Sequence, residues 1–273
     1  MTETILVATD GSADGNAAEQ LGISLAVRLR GRVAGITVVE DAKIRPPQSQ
    51  GLTLPAFPEA DLAAYYRSRA DAIATRFAER ARSEGVDAGC EIAQGRVDDR
   101  VVEKAQGFDL LAIGRDGRVA DSKGALIGSS TESIIRKTSK STVVVPFGTT
   151  LGGPIVLGFD GSPGSRIAAS MTVELANSLG ESVHVFVDSK DKGRAVARFE
   201  EVRQLLGGLN QPMRETSSTL GRPDVKIVDT ANEVGAGLIV IGAFGRNRIT
   251  DFFLGSNAAA VVRTAPVAVL LAR

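Results

Sequence analysis

Thr4-Ile5-Leu6-Val7-Ala8-Thr9-Asp10-Gly11-Ser12 is a short apolar run that ends in an acid, a glycine and a hydroxyl. The same design returns as Pro154-Ile155-Val156-Leu157-Gly158-Phe159-Asp160-Gly161-Ser162. A near-continuous apolar run bounded by a turn signal fits a strand covered on both faces. Asp10 and Asp160, or alternatively Ser12 and Ser162, suit the cap of a following helix. Further echoes extend the repeat. Phe108-Asp109-Leu110-Leu111-Ala112-Ile113-Gly114 returns as Ala236-Gly237-Leu238-Ile239-Val240-Ile241-Gly242, and Gly95-Arg96-Val97-Asp98 as Gly221-Arg222-Pro223-Asp224. The offset between the copies shrinks along the chain, so the first carries an insertion between its second and third strands. It coincides with residues 43–58, which hold Pro46, Pro47, Pro55 and Pro58 and read as a loop, a lid or a partner surface. A period this long means two duplicated domains, 1–147 and 154–273, joined by the glycine-bearing residues 147–154.

Within each copy short apolar runs alternate with helical patterns. Strands are expected at 5–9, 33–39, 86–93, 110–113 and 142–145, then at 155–159, 183–187, 213–219, 238–241 and 267–270. The clearest helix has Leu62, Tyr66, Ala70, Ile73, Phe77 and Ala81 at three- and four-residue steps. Strand–helix alternation with short connections implies right-handed crossovers. The fold class is therefore α/β, two tandem doubly wound parallel-sheet domains, Rossmann-like, with five strands each.

Composition removes several functions. The 273 residues suffice for two domains of ordinary size, and 32 basic residues balance 32 acidic ones. That balance gives no global grip on nucleic acid or an anionic membrane. Cys90 is the only cysteine and His184 the only histidine. An intrachain disulfide, a C-x-x-C site and a histidine-rich metal site are thus excluded. His184, alternating with Val183 and Val185, reads as a packed or edge residue, and Cys90 as a buried, inert thiol. The first residues lack a secretory pattern, and no apolar run reaches the roughly 18 residues of a membrane helix. A cytoplasmic protein is expected.

In doubly wound sheets ligands sit beyond the carboxyl ends of the strands, where the strand order reverses. Two loops of each copy occupy those ends: the Asp-Gly-Ser turn, and a glycine-rich loop after the fourth strand. In the second copy the latter reads Gly242-Ala243-Phe244-Gly245, nine residues, then Gly255-Ser256-Asn257. Glycines let a ligand approach the backbone, and the helix opening at Gly255 and Ser256 offers free N–H groups to a phosphate. There is no G-x-x-x-x-G-K-[S/T] and no dinucleotide fingerprint.

The pattern G-x-x-G-x(9)-G-[S/T] after an apolar strand, set in a duplicated frame, resembles the nucleotide loop of the universal stress protein family, and the resemblance covers essentially the whole chain. It implies a sheet ordered 3-2-1-4-5 and binding of ATP, with a magnesium ion bridging the phosphates. It also implies roles. Asp160 bonds the ribose beside the backbone of Gly158 and Phe159, and Val187 offers backbone to the adenine edge. Gly242 and Gly245 give the phosphates room, while Gly255, Ser256 and Asn257 donate to them. In the first copy the corresponding residues are Asp10, Val38, Gly114, Gly117, Gly128 and Ser129.

That first loop departs from the pattern, with ten intervening residues (118–127) and the acids Asp116 and Asp121, which Arg115, Arg118 and Lys123 would partly offset. Ser129-Ser130-Thr131-Glu132 also fits a capping box, a structural reason for Ser129. Hydrolysis needs a positioned base and charge stabilisation at the γ-phosphate. The second loop offers Arg246 and Arg248 but only Asp251 as an acid, so the expected function is nucleotide-binding regulation or stress response with slow or no hydrolysis. The alternatives are a ligand-free interaction protein of the same fold and a flavin or adenine-nucleotide enzyme or electron carrier. Last strands commonly pair across a two-fold axis in this family. Residues 142–145 and 267–270 would then form a pseudo-dimer within the chain, which leaves room for a homodimer and for an unidentified protein partner.

Overall fold

The computed structural model describes residues 2–41, 59–117, 127–243 and 254–273. The proline-bearing residues 43–58 lie outside them. In β1 (Thr4–Ala8), Ile5 and Val7 enter one apolar layer and Leu6 the other, the period of two for a strand covered on both faces. Gly11 then takes a left-handed φ of 76°, a conformation that is cheap only for glycine. Ser12 caps α1 (Ala13–Leu29), its hydroxyl accepting from the Gly15 amide at 3.0 Å.

The N-terminal half continues as β2 (Arg32–Val39), α2 (Glu59–Ser83), β3 (Cys90–Gln94), α3 (Val97–Ala105), β4 (Leu110–Gly114), α4 (Ser129–Lys137) and β5 (Ser141–Val145). The C-terminal half repeats the series as β6 (Ile155–Gly158), α5 (Pro163–Leu179), β7 (Val183–Asp188), α6 (Lys192–Leu205), β8 (Met213–Ser218), α7 (Pro223–Val234), β9 (Leu238–Gly242), α8 (Ser256–Thr264) and β10 (Ala268–Ala272). Expected strand 86–93 is shorter than anticipated. The Val86 amide bonds the Ala81 carbonyl at 2.9 Å and finishes α2, so β3 begins only where Cys90 pairs with Gly35.

Ten strands form one sheet in the order β3-β2-β1-β4-β5-β10-β9-β6-β7-β8. Each half therefore has the expected order 3-2-1-4-5. The halves meet at β5 and β10, the antiparallel pair, where Val144 faces Val269 and Val143 faces Leu270. The pairing anticipated between the last strands thus closes within the chain. Leu21 of α1, Phe77 of α2, Leu175 of α5 and Val202 of α6 fill one apolar layer, and Val101, Ile135, Ile227 and Val261 of α3, α4, α7 and α8 fill the other. Both layers run through both halves, so the halves share their hydrophobic burial.

Polar ties add specificity. Glu19 is fully buried and is held by Thr9 Oγ1 and Arg76 at 2.6 Å each and by Arg80. Seven residues after each capping serine, the C-terminal half has Ala169 where the N-terminal half has Glu19. His184 Nε2 lies 2.6 Å from Thr216 Oγ1, and burial together with Arg214 holds its pKa below the usual value. It is a packed, neutral strand residue. No helix among the described residues is long and apolar enough to cross a membrane.

Candidate functional site

In each half β1 or β6 sits between its two parallel neighbours, so the chain departs to opposite sides beyond its carboxyl end and leaves a crevice. Both crevices are cavities of similar size, 590 Å³ in the N-terminal half and 580 Å³ in the C-terminal half.

The floor of each is the Asp-Gly-Ser turn. Oδ1 of Asp10 accepts from the Ser12 amide and that of Asp160 from the Ser162 amide, both at 2.9 Å. The serines, not the aspartates, cap the helices. This leaves each aspartate in the cavity wall with its local turn made.

The far wall is the start of α4 or α8. Gly128 and Gly255 are the N-cap residues, and neither helix has a side-chain cap bond, so its first N–H groups are open to a ligand. The expected capping box at Ser129 is absent, because the cap is Gly128 and Glu132 instead pairs with Arg136 at 2.5 Å. Ser129 and Ser256 therefore occupy the same place, the first residue of their helices. Gly128, Ser129, Gly255, Ser256 and Asn257 all line their cavities.

The first glycine of each loop has an architectural duty as well. A Cβ on Gly114 would lie 2.8 Å from the Asp14 carbonyl carbon, and one on Gly242 would lie 2.6 Å from that of Gly164. Only glycine lets the strand end pack so closely on the helix start. Gly117 lies in the wall with open space beside it, 4.0 Å from Asp10 Oδ2 for an added Cβ. Gly245, Arg246, Arg248 and Asp251 lie outside the described residues, as does Asp121.

The third wall corrects one expectation. Gly158 and Phe159 line the C-terminal cavity as anticipated, but Val187 does not; its side chain is fully buried in the apolar layer that includes α6. Phe186 and Asp188 form the wall instead. The register explains the slip: Gly158 pairs with Phe186 as Ala8 pairs with Ile36, so Val38, which does line its cavity, corresponds to Asp188. A shift of one residue along a strand exchanges its two faces. Arg198 donates to the Asp188 carbonyl at 2.7 Å, while Asp188 Oδ1 is buried without a hydrogen-bond partner among the described residues.

The repeated Gly-Arg-x-Asp segment has different uses in the two halves. Asp98 is held at 2.6 Å by both Ser133 Oγ and Lys137 Nζ, which latch α3 to α4. Burial pushes its carboxyl upward, but those bonds prevail and hold it well below the usual carboxylate range. Its counterpart Asp224 lines the C-terminal cavity and meets Arg222 at 3.5 Å. Asp116 faces the N-terminal cavity and pairs with Arg115 at 3.1 Å, while its amide bonds Asp14 Oδ2 at 2.9 Å. Burial raises the Asp14 pKa, an effect that the Asp116 amide bond partly offsets. Arg69 and Tyr66 of α2 complete the N-terminal wall, and neither was singled out as a site residue from the sequence.

These features define a class: a tandem, Rossmann-like α/β protein with one crevice site per half. The family model described as "Universal stress protein family" matches residues 1–146 and 153–273. The chain belongs to the universal stress protein family. A universal stress protein of Mycobacterium tuberculosis is 27% identical over 193 residues, which are 63% of this chain and 64% of that protein. One from Mycolicibacterium smegmatis is 26% identical over 209 residues, 70% of each chain. The solved structure of a universal stress protein from Archaeoglobus fulgidus, 17% identical, covers 100% of this chain and 99% of its own with a TM-score of 0.78, and so shares the fold.

Proposed function

We propose that the chain is an adenine-nucleotide-binding regulatory protein of the stress response, acting in the cytoplasm, with ATP as the ligand of the C-terminal cavity. The observation that carries this reading is the conjunction in one crevice of Asp160, the strand-end wall of Phe186 and Asp188, and the side-chain-free start of α8. Asp160 accepts from a ribose hydroxyl. The α8 amides and Ser256 donate to phosphate oxygens. Magnesium would bind through the phosphates and offset their charge.

We read hydrolysis as slow or absent, because Asp251 is the only acid in residues 246–254. The test is calorimetric titration of the nucleotide-stripped full chain with ATP, beside Asp160→Asn, which keeps the Oδ1 acceptor of the turn and removes the charge. Binding by the parent and at least about tenfold weaker binding by the variant is the expected result. Absence of heat in the parent would favour the ligand-free interaction protein instead.

A further inference from the structure

We propose that the cavity of the N-terminal half takes a nucleoside whose phosphate is carried on the ribose, at the 2′ or 3′ oxygen, in preference to a 5′-polyphosphate. This deepens, and rests on, the reading of the crevices as nucleotide sites. It comes from the way charge is distributed along the cavity.

Among the described residues, the end where a 5′ chain would lie is acidic. Asp116 lines it, and Asp14 stands directly behind with Oδ2 on the Asp116 amide at 2.9 Å. Arg115 answers part of that charge at 3.1 Å, but its Nη1 is also committed to the Ala265 carbonyl at 2.8 Å. At the corresponding sequence positions the C-terminal half has Gly164 and Phe244, neither of them charged. A polyphosphate therefore meets these two acids in the N-terminal half, while the two matching positions of the other half carry no charge.

The ribose side is basic. Arg69 lines the cavity, and its Nη2 donates to the Asp10 carbonyl at 3.4 Å. The guanidinium thus stands at the residue expected to hold the ribose. Among the described residues no carboxylate lies within ion-pairing distance of it. Glu40, another acid of the wall, is itself engaged. Guanidinium groups match phosphate oxygens with two-pronged geometry. An arginine near the ribose is also how dinucleotide folds accommodate a 2′-phosphate. Tyr66 lines the same wall, where an aromatic ring can pack on the base. In the C-terminal cavity the basic group of the described wall is Arg198, which is bonded to the Asp188 carbonyl.

The chain supplies its own reporter. It has no tryptophan and two tyrosines, Tyr65 and Tyr66, both on α2, so tyrosine fluorescence senses the N-terminal cavity. In a Tyr65→Phe background Tyr66 alone reports. The full chain is titrated with adenosine 2′-, 3′- and 5′-monophosphate, isomers of the same formula. The expected result is about tenfold tighter binding of the 2′ or 3′ isomer than of the 5′ isomer. That preference disappears in Arg69→Met and is largely kept in Arg69→Lys. Equal or tighter binding of the 5′ isomer, or a preference that survives Arg69→Met, overturns the proposal. A silent Tyr66 with all three isomers, while calorimetry still shows ATP binding, overturns it and leaves the C-terminal site standing. Silence by both methods overturns the nucleotide reading itself.

Discussion

The Arg115 guanidinium donates to the Ala265 carbonyl at 2.8 Å, across the boundary between the two halves. Arg115 belongs to the loop beside the N-terminal cavity, and Ala265 ends α8, the helix whose first turn walls the C-terminal cavity. In return, Arg273 donates to the carbonyls of Thr138 and Ile135 at the end of α4. Cations at helix C-termini complement the orphan carbonyls and the dipole there. Each half thus holds the far end of the other's ligand-facing helix. Arg115→Ala is expected to cost about 1–3 kcal/mol in denaturant unfolding. It should also change ATP affinity at the C-terminal cavity, which Arg115 does not line. Unchanged affinity in calorimetry would show that the tie is structural only.

Asn257 stands in the first turn of α8 and lines the cavity. Asn257→Asp should separate stability from binding. A carboxylate favours a helix N-terminus by about 0.3–1 kcal/mol, so thermal stability holds or rises. The same charge faces the phosphates, so ATP affinity falls by at least about tenfold. A parallel fall in both would mean the residue only supports the helix.

Asp98 makes the latch between α3 and α4 sensitive to acid. Its folded pKa is depressed, so its contribution is present above the unfolded value near 4 and is lost as pH falls through the folded one. Asp98→Asn should therefore unfold more easily at neutral pH, with a difference from the parent that narrows on acidification. Urea midpoints measured across that range check it.

Glu19 is a fully buried charge with three partners. Glu19→Ala leaves Arg76 and Arg80, both partly reached by solvent, without their carboxylate, at an expected cost of about 1–3 kcal/mol. Removing the group together with Arg76 should cost less than the sum of the single changes, which a double-mutant cycle measures.

Burial pushes the Cys90 thiol up to about 12. Reaction with a disulfide reagent at neutral pH should be slow in the folded chain and fast once it is unfolded. Rapid modification of the folded protein would show a more open environment.

Much of this structure was legible in the sequence, for identifiable reasons. Continuous apolar runs such as Leu110–Gly114 announce central strands, and the two Asp-Gly-Ser turns announce the crevices. The β5–β10 pairing followed from family resemblance and not from the pattern of either strand. Val187 was named for its backbone from the family resemblance, which does not give the register to the residue; its side chain is buried in the apolar layer, and Asp188, the polar residue after it, lines the cavity. The capping box at Ser129 failed because local sequence does not say whether the glycine before a serine takes the cap. Tyr66 read as one more step of an apolar stripe, and nothing in the local sequence singles out Arg69. That α2 is laid against the Asp10 turn depends on tertiary packing alone.

The most direct measurement is calorimetric titration of the stripped full chain with ATP, with the small molecules released by denaturing the untreated protein identified alongside. An adenine nucleotide recovered from the protein, ATP binding at about one equivalent per chain, and weakened binding in Asp160→Asn are predicted. No released nucleotide and no heat would contradict the assignment and leave the crevices without the adenine-nucleotide role.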